Sequence, residues 1–123
     1  MIRSAVLIMA LSAAATSAPA FIAENDLVVV PGPGTEFTVP WRGVSNTRAF
    51  WCAASDYARR ELGADGQTRL YRTSGRRAPG EGITFSLSPS GARKTGLLIW
   101  GGDSRGLSVA HARTFCRIPP LGE

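Results

Sequence analysis

The segment Ser45 to Gly63, SNTRAFWCAASDYARRELG, constrains the fold of this chain more than any other. Phe50, Trp51, Ala54, Tyr57, Ala58 and Leu62 recur at the i, i+3, i+4, i+7 spacing of one helix face. That face is expected to lie on a sheet. Ser45 is the expected N-cap, its hydroxyl accepting from an orphan N–H of the first turn. Arg48 stands where a capping box would need Glu or Gln. Gly63 is the expected C′ residue, and Arg59 and Arg60 suit the negative end of the helix dipole.

The same helix carries Cys52, one of two cysteines; the other, Cys116, lies near the end of the chain. Joined, they close a loop of about 65 residues, worth ~4 kcal/mol in the chain-entropy model. At about 100° per residue, Cys52 sits with Ala49, Ala53 and Asp56, beside the apolar face. The disulfide is therefore expected to pin a C-terminal segment across the flank of the helix, on the side nearer solvent.

The compartment follows from the N-terminus. Arg3 supplies a positive n-region, Ala5 to Ala15 an apolar h-region, and Ala18-Pro19-Ala20 an A-x-A cleavage site. The run is shorter than the roughly 20 residues that span a bilayer. Residues 1–20 are read as a signal peptide, and 21–123 as a single small globular domain in the periplasm or outside the cell, with no transmembrane segment after cleavage. Two cysteines in an exported chain most simply mean one disulfide. Of 14 basic residues, Arg3 leaves with the signal, so 13 face 9 acidic residues at a net charge of +4. Every remaining basic residue except Lys94 is arginine. This balance favours acidic partners or anionic envelope surfaces.

Beyond the lead-in Phe21–Asp26, read as mobile, Leu27 to Val39 reads as a β-hairpin around Pro31-Gly32-Pro33-Gly34. After the helix, Thr68–Arg72 reads as a strand with Leu70 inward, and Thr73–Gly82 as a loop. Ile83–Ser88 alternates cleanly, with Ile83, Phe85 and Leu87 on one face. Pro89–Thr95 reads as a hairpin turn, Gly96–Trp100 as a central strand, Gly101–Gly106 as a loop and Leu107–Arg113 as the last strand. Short spacings favour antiparallel neighbours. The expected fold is α+β: an antiparallel β-meander of four to six strands, one helix over about 45–62 packed on one face, and one disulfide.

In a meander, alternate loops share an end of the sheet. Arg76, Arg77, Glu81, Asp103, Ser104 and Arg105 are thus expected at one end, with Arg93 and Lys94 at the other. Guanidinium groups beside glycine N–H groups can hold a carboxylate or phosphate. Equally, they can be solvated turn charges that keep sheet edges from pairing.

Catalytic patterns fail one by one. Asp103 and Ser104 in one tight turn do not build a triad with His111, which is expected well down the following strand, half-buried with Leu107 and Val109. There is no G-x-S-x-G elbow. Asp56 and Glu61 are five positions apart on the helix, so their faces diverge by about 140°. A single histidine and two paired cysteines do not make a zinc site, and no cofactor or metal is expected. Trp51 and Trp100 fit core positions, leaving Trp41 as the exposed tryptophan. Without interleaved exposed aromatics or a signature motif, nucleic acid is not an expected partner.

The stretches FWCAASDYARRELG, FSLSPSG and LSVAHARTFC resemble those of small uncharacterised exported proteins of alphaproteobacteria. The resemblance implies a single periplasmic domain and carries over no activity and no site residues. The expected function is a non-catalytic binding or interaction module with a basic loop end, acting on an acidic protein or envelope component. The alternative is a small metal-independent periplasmic enzyme acting on an anionic substrate.

Overall fold

The computed structural model describes residues 20–43, 46–97 and 106–117. Strands β1 (Phe21–Ile22), β2 (Val28–Pro31) and β3 (Phe37–Val39) are followed by helix α1 (Thr47–Arg60). Next come β4 (Arg69–Arg72), β5 (Ile83–Ser86), β6 (Leu107–Ser108) and helix α2 (Val109–Thr114), and a 3-10 turn over Phe115–Arg117 completes the order. The six strands form one antiparallel sheet in the order β1-β2-β3-β5-β4-β6. The fold is α+β, as the sequence predicts, with the expected strand count and the expected disulfide.

The strand order departs from a meander at β5, which lies between β3 and β4. Phe37 pairs with Phe85 and Val39 with Ile83, so β3 takes the apolar face of the most regular strand as its neighbour. Strands β2 to β6 and α1 then share one core. Trp51, Phe37, Phe50, Phe85, Leu70 and Ile83 are its largest fully buried side chains. Trp51 meets Phe85 edge-on at 4.9 Å, and Phe37 meets Tyr57 at 4.5 Å.

The helix is capped by Asn46, whose side-chain oxygen accepts from the Arg48 N–H at 3.0 Å. Ser45, the expected cap, lies outside the described residues. At the other end Gly63 takes a left-handed φ of 67°, and the Ala64 N–H returns to the Ala58 carbonyl at 2.9 Å.

Two sequence expectations are corrected by tertiary packing. The lead-in is ordered: β1 pairs with β2, and α1 clamps it from below. Arg60 stacks over the Phe21 ring at 4.6 Å and donates to the Ile22 carbonyl, while Asn25 donates to the Ala49 carbonyl at 2.8 Å. The last strand stops after Ser108, because the Ser108 hydroxyl accepts from the His111 N–H and starts α2. His111 is therefore an exposed helix residue beside Phe115, not a half-buried strand histidine.

Helix α2 and the turn after it pack on α1, and Cys116 bonds Cys52 with Cα atoms 5.0 Å apart. The flank of α1 is bridged as expected, but it is not near solvent. Cys52 is 1% exposed, and α1 is buried without a break from Phe50 to Ala58.

Asp56 falls in that buried run and is fully enclosed. Its carboxylate accepts from the Glu24 N–H at 2.9 Å, from Arg60 Nε at 2.8 Å, and from Arg59 and Arg60 Nη2. Burial alone would raise its pKa. The Arg60 and Glu24 hydrogen bonds and the two guanidinium charges outweigh it and hold the carboxyl below 3.8. A carboxyl depressed in the folded state adds stability above its unfolded pKa and loses it as pH falls through the folded value. Asp56→Asn is therefore expected to flatten the acid limb of the stability profile below about pH 4. Asp65, also held down by Thr68 and the Gln67 N–H, leaves a residual slope there. Chemical denaturation from pH 2 to 6 reads this out; an unchanged acid limb in the variant counts against the assignment.

Candidate functional site

The site is built around Arg72, at the end of β4. Leu70 and Arg72 share the inward face of the strand by its period of two, so an arginine points to the helix side and is only 6% exposed. Its guanidinium donates to three carbonyls: Ser74 at 3.1 Å, Gly75 at 2.8 Å and Thr95 at 3.3 Å. It thereby holds the 73–77 loop and the 93–96 segment together.

The second loop is fixed from two further directions. The Arg93 N–H donates to the Arg72 carbonyl at 2.7 Å. Trp51 Nε1, in the middle of α1, donates to the same Thr95 carbonyl at 3.1 Å. Thr95 is fully buried, and its hydroxyl accepts from the Leu97 N–H at 3.2 Å. Gly96 follows with a φ of 76°; a Cβ there would come within 2.5 Å of Arg72 Nη1. Glycine is required both for the turn and for the guanidinium to lie against the backbone. Gly96 and Leu97 are accordingly not in a strand, in contrast to the central strand expected at 96–100, whose remainder lies outside the described residues.

Between these two loops and the start of α1 is a cavity of about 540 Å³. Arg72, Arg76, Arg77, Arg93 and Lys94 line it, with Thr47, Gly75 and Gly96. No carboxylate is among these described lining residues. Arg77 also lies over the Phe50 ring at 5.0 Å and donates to the Glu81 carbonyl at 3.1 Å. Thr47 belongs to the first turn of α1, which carries no acidic side chain, so the positive end of the helix dipole adds to the cations.

The structure thus brings Arg76 and Arg77 into one site. Arg93 and Lys94, expected at the opposite end of the sheet, are beside them. The reason is the path after β5: the chain turns at Pro89–Ala92 and returns beside the end of β4, where the Arg93 N–H meets the Arg72 carbonyl. Glu81 does not line the cavity; its carboxylate is exposed and accepts from the Ala78 N–H at 3.3 Å. Asp103, Ser104 and Arg105 lie outside the described residues. Arg72 is absent from the cations expected at the loop end, although its parity with Leu70 in the sequence marks it as inward.

Glu24 and the Cys52 and Cys116 sulfurs lie within 4.8 Å of one another. The sulfurs are spent in the disulfide, so this group offers no thiolate to a metal. Trp51 is fully buried and Trp41 is 42% exposed; Trp100 lies outside the described residues. No helix among the described residues is long and apolar enough to cross a membrane. No family model matches the chain, and no curated protein or solved structure matches it.

Proposed function

We propose that this is an exported, periplasmic binding module that holds an anionic partner in the basic cavity, without catalysing a reaction. The observation that carries the reading is the convergence of five cations from two loops and a strand on one concavity. Crowding like charges costs stability, and an anion relieves it. Forked guanidiniums suit a carboxylate or phosphate, and the volume is that of a small-molecule site. The disulfide fits an oxidising compartment, and the A-x-A signal before Phe21 supports export. A mature chain with its N-terminus at Phe21 and no alkylatable thiol, read by intact mass, is the expected product.

Arg76→Ala/Arg93→Ala/Lys94→Ala tests the site. All three residues are exposed, so the fold should stay within about 0.5 kcal/mol per position. Affinity for tripolyphosphate, followed by calorimetry at low salt, is expected to fall at least tenfold. Arg42→Ala/Arg69→Ala/Arg117→Ala removes the same charge from exposed positions elsewhere and should change it little. Wild-type binding should weaken as ionic strength rises, since exposed charges are screened over about 10 Å at 0.1 M. Equal losses in the two triple variants would mean unspecific charge attraction and no site.

A further inference from the structure

The basic cavity has a neighbour of different chemistry. Thr73 and Ser74, which precede the cavity-lining Gly75–Arg77, line a second depression of about 580 Å³, and seven of its ten described lining residues carry a hydroxyl. Thr84 and Ser86 stand on β5, facing away from the core side taken by Ile83 and Phe85. Thr35 Oγ1 lies 3.3 Å from Ser86 Oγ. Ser74 Oγ accepts from the Thr84 N–H at 3.0 Å, and Ser86 Oγ from the Ser88 N–H at 3.0 Å. These bonds fix the hydroxyl positions and leave donor and acceptor capacity unused, since each hydroxyl offers one donor and two acceptors.

The two depressions are lined by successive residues of the same two segments. Thr73 and Ser74 line the groove, and Gly75 to Arg77 line the cavity. Gly91 lines the groove, and Arg93 and Lys94 line the cavity. Ser74 takes part in both: its carbonyl accepts from Arg72 and its hydroxyl from Thr84. The charge is divided between them as well. Glu36 lines the groove, so an anion is disfavoured there and favoured in the cavity.

We propose that the two together bind a saccharide chain carrying an acidic group. The carboxylate or phosphate is held in the basic cavity, and neutral sugar hydroxyls cross the Thr73–Gly75 segment to lie along the Ser/Thr groove. This rests on the anion-binding reading above. The groove has no aromatic side chain among its described lining residues, so it cannot stack a sugar ring and holds neutral sugars weakly. A covalently joined anion changes that, because binding the charge brings the sugar hydroxyls to the groove at high effective concentration.

The test compares maltotetraose, maltotetraonate (its aldonic acid), maltotetraose 1-phosphate, and gluconate and phosphate alone, by calorimetry on the full mature chain. Either acidic tetrasaccharide is expected to bind at least tenfold tighter than neutral maltotetraose and than the corresponding small anion; which of the two binds tighter assigns the acidic group. Thr35→Val/Thr84→Val keeps shape, removes two hydroxyls, and should abolish that gain while leaving tripolyphosphate binding unchanged. Should that pair unfold, Ser88→Ala/Ser90→Ala, at exposed positions, is expected to reduce the gain in the same direction. Acidic tetrasaccharides that bind no tighter than their small anions overturn the proposal, as does a gain that survives in a folded groove variant. Either result leaves the basic cavity standing as an anion site. Tripolyphosphate binding that persists in the cavity triple variant overturns the underlying reading instead.

Discussion

Cys52→Ala is expected to destabilise the domain by about 2–5 kcal/mol, the usual loss when a small secreted domain is deprived of a native disulfide. The C-terminal elements give the reason. Strand β6 has two residues and α2 has six, so neither forms a stable unit alone. They are held by Val109 and Ala112 in the core and by a cross-link spanning 64 positions of chain. Cys116→Ala should lose a similar amount, and reduction of the wild-type protein should reproduce it without any mutation. Urea unfolding of both variants and of the reduced protein makes the comparison. One variant near wild type with the other unfolded would show that the cysteines are not partners in solution.

Trp51→Ala should cost about 3–5 kcal/mol, as emptying a large aromatic site generally does. Trp51 is fully buried and packs on Phe85. It also reaches the site: its Nε1 and Arg72 share the Thr95 carbonyl. Trp51→Phe separates the two roles. It keeps most of the apolar volume and removes the donor, so a smaller stability loss should come with weaker tripolyphosphate binding, because 93–96 loses an anchor. If Trp51→Phe binds the anion as wild type does, the Trp51–Thr95 bond is not needed to position that segment.

What the sequence discloses about this fold tracks the strength of each local pattern. Helix α1 has a full apolar stripe, and β5 a clean alternation, so both were legible. The hairpin β2–β3 was legible from its proline and glycine turn. Strand β1 was not: two residues carry no period, and its order comes from Arg60, Asp56 and Asn25 reaching across to or from α1. LSVAHAR suits a period of two and, through Val109 and Ala112, a helical spacing of three; the Ser108 cap and the disulfide decide for the helix. The site was half legible. Arg76 and Arg77 read as loop cations, but Arg93 and Lys94 are brought to them by the Arg93–Arg72 backbone bond. That bond joins residues far apart in the chain, which no local pattern contains.

The insertion of β5 between β3 and β4 also governs when the chain can fold. The Thr38–Thr84 pair bridges 46 positions, and α1 and β4 lie inside the loop it closes. Until β5 has emerged, Phe37 and Val39 lack one of their two neighbouring strands, and Trp51 lacks Phe85. Closing so long a loop precedes any reward from the core, which makes folding slow for a chain of this size. An amino-terminal fragment ending before Ile83 thus lacks the strand that joins β3 to β4. On the proposed export route, that delay keeps everything before Ile83 without its closing strand until residues 83–86 have followed it.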